Sequence, residues 1–200
     1  MPDISTKENF IKELTKFTKT SHGDNLEVNF STDILIEETE KGGKGKIHLD
    51  ISKYIDSPDF FIKIAHQPNH TIGDEVKHND GIIIKVNLIK KQIDIFMFEL
   101  KKTLRFNNLK IASKQLASAY RFMRFLDFEE CFSVNYKFFL VHETNNLERD
   151  SDELKGKRGY YNVLFEAVYE KKTKIPLMIP LCKYRTYDFA QLSFDSRTAI

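Results

Sequence analysis

The sequence predicts an α/β domain in which a central mixed β-sheet is flanked by helices. Two apolar runs separated by a polar break, Gly81–Ile89 and Ile93–Leu100, have the composition of adjacent buried strands. The next segment, Asn108–Leu126, has apolar residues at three- and four-residue steps, which is typical of an amphipathic helix. Ser133–His142 then reads as a further strand. Strands and helices that alternate in this way are typical of the α/β class.

The N-terminal elements are predicted to be a helix and a strand hairpin. The helix covers Ser5–Phe17, and Ser5 and Glu8 have the spacing of a capping box. Leu26–Glu37 alternates as a strand, and a glycine-rich turn leads from it into Lys46–Ile51. These two segments therefore predict an early hairpin.

A polar segment, Ile64–His78, leads to Asp80. The four-residue step from His66 to His70 would suit a metal pair on a helix, but Pro68 lies between them and argues against a helix there. The segment is predicted to be a loop, and loops of this kind commonly border active sites.

An acid and an ammonium stand two residues apart at the end of the second apolar strand. Because side chains alternate across a strand, Glu99 and Lys101 project from one face, while Phe98 and Leu100 project from the other. A strand that is apolar on both faces lies deep in a sheet, where charged groups are rare unless they are paired. The spacing therefore predicts that Glu99 and Lys101 face one site.

The position of Asp80 relative to this pair depends on the turn between the two strands. If Lys90 and Lys91 form a two-residue turn, antiparallel pairing places Asp80 opposite Lys101 on a shared face. A three-residue turn shifts the register by one and sends Asp80 to the other face. The sequence leaves both turns open.

These residues resemble the motif of the PD-(D/E)xK nuclease superfamily, which includes restriction enzymes and recombination and repair nucleases. The resemblance rests on Asp80, on Glu99-x-Lys101 at the end of a hydrophobic strand, and on the helical segment that follows, about a quarter of the chain. His78-Asn79 precedes Asp80 where the family pattern has a proline. The resemblance implies a restriction-endonuclease-like core.

The resemblance also implies a chemistry. In that family the Asp and Glu hold Mg²⁺, and the Lys positions or activates the attacking water. Carried over, Asp80 and Glu99 become metal ligands and Lys101 the catalytic lysine. Two acids are enough, because Mg²⁺ is commonly held by one or two carboxylates together with water and substrate oxygens. The implied function is hydrolysis of phosphodiester bonds, with DNA as substrate and Mg²⁺, or Mn²⁺ as its substitute, as cofactor.

The helix after the motif supplies one more candidate. The recombination-nuclease branch of the family has a Gln and a Tyr four residues apart near the metal, whereas Gln115 and Tyr120 are five apart, so at most one can occupy its family position. We take Gln115 as a catalytic-site candidate and expect Tyr120 to pack in the core. The opening helix of the family sometimes carries an extra acid, which adds Glu8 and Glu13, although capping and surface positions explain both.

Two other interpretations remain open. A strand that leaves the core often ends in Glu and Lys because it has reached solvent, and Lys101 would then point away from any cleft. A module that binds nucleic acid or protein could also keep this fold without catalysis. The observation that distinguishes a catalytic domain from a binding module is whether the carboxylates of Asp80 and Glu99 lie close enough to share one metal ion.

Length predicts a single α/β domain over residues 1–200, either alone or with residues 145–200 as a C-terminal extension, and the resemblance implies that this domain is nuclease-like. At 41% hydrophobic residues the chain can bury one full core. The apolar segments Tyr160–Tyr169 and Ile175–Leu181 in the C-terminal part are of open type.

Charge and cysteine content bound the partners and the compartment. A net charge of +2 neither requires nor excludes nucleic acid, although basic residues cluster locally, for example at Lys90-Lys91. Cys131 and Cys182 lie far apart and no signal peptide or membrane-spanning segment is visible. We therefore expect a cytoplasmic protein with no membrane partner, and the sequence leaves a homodimer or a partner subunit open.

Overall fold

The computed structural model describes residues 4–18, 26–38, 45–64, 79–148, 160–177, 185–193 and 195–200. Within these ranges the chain forms an α/β fold with two β-sheets, as the sequence predicts. The helices are α1 (Lys7–Thr18), α2 (Phe106–Phe125) and α3 (Tyr160–Tyr169). The strands of the large sheet are β1 (Leu26–Val28), β4 (Phe60–Ile64), β5 (Gly81–Asn87), β6 (Gln92–Leu104), β7 (Ser133–Asn145), β8 (Lys174–Leu177) and β9 (Arg185–Ser193). The strands of the small sheet are β2 (Asp33–Glu37), β3 (Lys46–Asp50) and β10 (Arg197–Ala199).

The large sheet is mixed. Its strand order among the described residues is β1-β4-β5-β6-β7-β9-β8. Strands β1, β4, β5 and β6 pair antiparallel in succession, β6, β7 and β9 run parallel, and β8 returns antiparallel to β9. Helix α2 makes the crossover that a parallel connection from β6 to β7 requires.

The two faces of the large sheet are covered by different layers. One face, here called the helix face, packs against the helices, and the other, the sheet face, packs against the small sheet. Successive side chains of β6 alternate between the two faces. Ile95 and Met97 lie on the helix face, and Phe96 and Phe98 lie on the sheet face. The central strands are therefore buried on both sides, as their continuous apolar sequence predicts.

The predicted N-terminal hairpin is confirmed for the second half of its first strand. β2 and β3 pair antiparallel in the small sheet. The prediction of one strand over Leu26–Glu37 is wrong, because β1 joins the large sheet and β2 the small one. Asn29, between them, has a φ of 70°, a left-handed conformation that asparagine adopts more readily than most residues.

Both helices predicted from periodicity are present with adjusted ends. In α1 the side chain of Thr6 accepts the backbone N–H of Asn9 at 3.2 Å. Helix α2 begins at Phe106, so Asn108 lies inside its first turn and donates through Nδ2 to the Thr103 carbonyl at 2.6 Å.

The C-terminal part of the chain contributes to both sheets. Of the two apolar segments whose type the pattern left open, the first forms α3 and the second begins as β8. β10 pairs in parallel with β3 and so completes the small sheet. No described helix is both long and apolar enough to cross a membrane.

Candidate functional site

The turn between β5 and β6 decides where Asp80 lies. The connection is the four-residue segment Leu88–Lys91, and the register pairs Gly81 with Phe98. This register differs by two from the one that a two-residue turn gives. Neither of the two turns that the sequence left open is present, so Asp80 does not stand opposite Lys101, but a shift of two keeps every paired side chain of β5 on the face that the two-residue turn predicts.

Asp80 is held against the backbone of β6. Its own N–H donates to the Phe98 carbonyl at 3.2 Å, and its Oδ2 accepts the N–H of Leu100 at 2.7 Å. The side chain of Asp80 is buried, with 3% exposure. Because Leu100 stands between Glu99 and Lys101, the Asp80 carboxylate lies at the point of β6 from which both side chains project.

Glu99 and Lys101 form an ion pair in the interior of the sheet. Lys101 Nζ lies 2.8 Å from Glu99 Oε1, and the two residues are 5% and 0% exposed. β6 continues to Leu104, and both side chains follow Met97 at alternate positions on the helix face. The interpretation of Glu99-x-Lys101 as a solvated strand end is therefore wrong.

The fourth predicted site residue, Gln115, is placed at about the same level of the sheet by the lengths of α2 and β6. Helix α2 packs on β6, and Gln115 is 2% exposed. Gln115 lies nine residues into α2, about 14 Å from its start at a rise of 1.5 Å per residue. Glu99 lies five residues before the end of β6, about 17 Å back along the strand. The two distances from the β6–α2 connection are similar, so Gln115 and Glu99 lie at about the same level. Tyr120 packs in the core as predicted, against the rings of Tyr136 and Tyr187.

The acids of α1 lie elsewhere. Glu13 borders a groove with Phe125 and Asp127 at the far end of α2, and it pairs with Lys16 at 2.5 Å. Glu8 is exposed in the first turn of α1. The loop histidines of the sequence prediction, His66, His70 and His78, lie outside the described residues.

Asn79 is a structural residue that the sequence reasoning missed. It is 1% exposed, and its Nδ2 donates to the carbonyls of Gly81 at 2.7 Å and Phe98 at 3.4 Å. These bonds brace the segment that carries Asp80. The only sequence signal was a turn-type Asn directly before Asp80.

Gly81, next to Asp80, allows the small sheet to pack closely on the large one. A Cβ at this position would lie 2.9 Å from Ile36 Cδ1 and 3.1 Å from Ile36 Cγ2. We expect Gly81→Ala to lower the free energy of unfolding by about 1–3 kcal/mol through overpacking. Ile36→Val removes Cδ1, so the double variant should be more stable than the sum of the two single effects predicts. Urea unfolding of all four proteins measures this, and strictly additive losses would contradict the close contact.

The donor atoms fit a hard divalent cation. Asp80 and Glu99 offer carboxylate oxygens, which Mg²⁺ prefers. In the part of the chain that the structure describes, no three His, Cys, Asp or Glu side chains cluster as potential ligands. Two carboxylates, with water and substrate oxygens in the remaining positions, form an arrangement that Mg²⁺ commonly accepts.

Comparisons with known proteins identify no relative. The chain matches no protein-family model. It matches no curated protein, and no solved structure resembles it significantly.

Proposed function

We propose that this chain is a metal-dependent nuclease with a restriction-endonuclease-like core, hydrolysing phosphodiester bonds in DNA. The observation that carries the proposal is the burial of Asp80, Glu99 and Lys101 around one short stretch of β6. Removing two opposite charges from water costs about as much as their mutual attraction returns, so a buried ion pair is poorly explained by stability. A chemical role explains it better.

Each residue has a role in this proposal. Asp80 and Glu99 supply the oxygens that hold the cation, which when bound polarises the phosphoryl oxygen and lowers the pKa of its water. The Lys101 ammonium orients the attacking water and stabilises the charge that develops on the phosphate. The water oxygen forms a new bond to phosphorus and gives up one proton to solvent, while the bond to the leaving sugar oxygen breaks and that oxygen takes up a proton from solvent. Gln115 donates or accepts a hydrogen bond at the same level of the sheet.

The polynucleotide is expected to reach the site along the C-terminal end of β6. Lys102 and Arg105 are exposed there, directly after Lys101. Basic side chains at this position can contact backbone phosphates, which position the strand without reading its sequence. The choice of DNA over RNA rests on the resemblance to the nuclease superfamily.

The test is cleavage of plasmid, linear duplex, single-stranded DNA and RNA in Mg²⁺ or Mn²⁺, with a chelator as control. Glu99→Gln is close in shape to the native residue, and we expect it to abolish cleavage. A double variant, Glu99→Leu with Lys101→Met, removes both buried charges and is a matched folded control that should also be inactive. Nicking of plasmid would identify an endonuclease, and degradation of linear substrates alone an exonuclease.

Two results would overturn the proposal. Absence of cleavage with retained nucleic-acid binding in all variants would favour the binding module. Absence of binding as well would remove nucleic acid as the partner.

A further inference from the structure

His142 lies beside Lys101 on the neighbouring strand. The parallel register of β6 and β7 pairs Lys101 with His142, just as it pairs Met97 with Phe138. Met97 and Phe138 both belong to the helix-face core, and alternation places Lys101 and His142 on that face too. Paired positions on adjacent strands are separated by about 5 Å.

Hydrogen bonds determine which ring nitrogen of His142 carries the proton. Gln191 Nε2 donates to the Val168 carbonyl at 2.6 Å, so its Oε1 faces His142. His142 Nε2 lies 3.3 Å from that oxygen and must act as the donor. In the neutral ring, Nδ1 is then an acceptor.

The acceptor nitrogen is buried. Nδ1 of His142 has no hydrogen-bond partner among the described residues. Burial lowers the pKa of His142, the positive charge of Lys171 lowers it further, and the hydrogen bond to Gln191 opposes both. The ring is thus held neutral around pH 7, and an acceptor nitrogen stands on the strand next to an ammonium.

We propose that His142 is a positioning residue for Lys101: its buried Nδ1 lies on the neighbouring strand at the position paired with Lys101, where the ammonium can take it as a second acceptor besides Glu99. The catalytic meaning of this contact rests on the proposed nuclease function. When a cation draws on the Glu99 oxygens, the ammonium loses part of its hold on that carboxylate. An acceptor on the neighbouring strand keeps the ammonium in the site rather than in solvent.

The direct test is the pKa of His142, measured by NMR with ¹⁵N-labelled histidine. The register places Lys101 beside His142, with Glu99 two residues earlier on β6, and the positive charge of Lys171 after α3 also acts on the ring. Lys101→Met removes a neighbouring positive charge and is expected to raise the pKa of His142 by at least about 0.5. Lys171→Met is a positive control, and Lys63→Met, on β4, should leave the pKa unchanged.

A second variant covers the case in which Lys101→Met does not fold. Glu99→Gln with Lys101→Met removes both charges of the buried pair, and the pKa of His142 should still rise because Lys101, rather than Glu99, is its register neighbour. If the pKa responds to Lys171→Met but to neither variant at Lys101, the inference is overturned. These readouts need no catalysis, so a response to Lys101 in a chain that cleaves nothing would support the contact and reject the nuclease.

Cleavage gives an independent readout. Protonation of His142 removes the acceptor and places a positive charge beside Lys101, so kcat should fall as the pH drops through the pKa of His142. His142→Asn keeps an acceptor near Nδ1 and should lose this acid limb while remaining active. His142→Leu should lower kcat roughly 10–100-fold with little change in KM. His48→Asn, at a histidine paired with Asp33 in the small sheet, is the matched control and should keep the wild-type profile. An unchanged acid limb in His142→Asn would contradict the inference.

Discussion

Replacing Lys101 with methionine is expected to lower the free energy of unfolding by about 3–5 kcal/mol, because it leaves a buried carboxylate without its ammonium. Glu99 is 0% exposed, and its Oε1 lies 2.8 Å from Lys101 Nζ. Methionine is similar in length to the lysine side chain, so the change in the free energy of unfolding reflects loss of the charge rather than loss of volume. Urea unfolding followed by circular dichroism measures the change.

Lys63→Met is the matched control for this prediction. Lys63 Nζ lies 2.9 Å from Glu27 Oε1, but the Glu27 side chain is 50% exposed. Exposed pairs contribute about 0–1 kcal/mol, so the loss should be small. Equal losses in Lys101→Met and Lys63→Met would show that the buried pair is well solvated, contrary to the structure.

Removing both charges should restore stability. The double variant Glu99→Leu with Lys101→Met leaves apolar side chains on the helix face and is expected to be at least as stable as the wild type. If this variant is stable and does not cleave, the charged pair is needed for catalysis and not for stability. A double variant as unstable as Lys101→Met would instead assign the pair a structural role.

Asp80→Asn is the second prediction with a large effect, and it acts on activity rather than on stability. The Asp80 Oδ2 accepts the Leu100 N–H at 2.7 Å, and the amide oxygen of asparagine can accept the same bond. We expect a change in the free energy of unfolding within about 1.5 kcal/mol. Loss of the negative charge should lower kcat about a hundredfold or more. Unfolding and steady-state cleavage are measured on the same preparation.

Asp94→Asn is the matched control and is expected to affect stability rather than activity. Asp94 lies on the same strand and pairs with Lys85 at 2.8 Å, away from the candidate site. This variant should lose stability and keep cleavage. Mg²⁺ should raise the melting temperature of the wild type and of Asp94→Asn, but not of Asp80→Asn, since only ligand bound to the folded state stabilises it. Equal effects of Mg²⁺ on all three proteins would contradict a metal role for Asp80.

Much of the candidate site could be predicted from side-chain alternation. Glu99 and Lys101 share a face because a strand has a period of two, and the apolar runs around them predicted their burial. The register could not be predicted, because Leu88 and Ile89 are apolar and read as strand residues although they belong to the turn. His142 shares its period with Phe138 and Leu140, yet only the pairing of β7 with β6 places it beside Lys101.

Long-range pairing explains what the sequence did not predict about the fold. The pattern around Asn29 is continuous, although the backbone leaves the extended conformation at that residue and β1 and β2 join different sheets. β10 has only three residues and no distinctive pattern, so the sequence did not predict it. Its position is determined by pairing with β3 rather than by local propensity.

The small sheet has a consequence for how the protein is made. Its third strand comes from residues far along the chain, and Arg197 bonds Asp50 across 147 positions. Contacts of such separation form slowly, because a long loop must close before they add stability. During synthesis the β2–β3 hairpin must wait without β10, and two-stranded hairpins are marginally stable alone. The sheet face behind Glu99, with Phe98 and Leu100, is therefore expected to reach its final packing only after Arg197–Ala199 have left the ribosome.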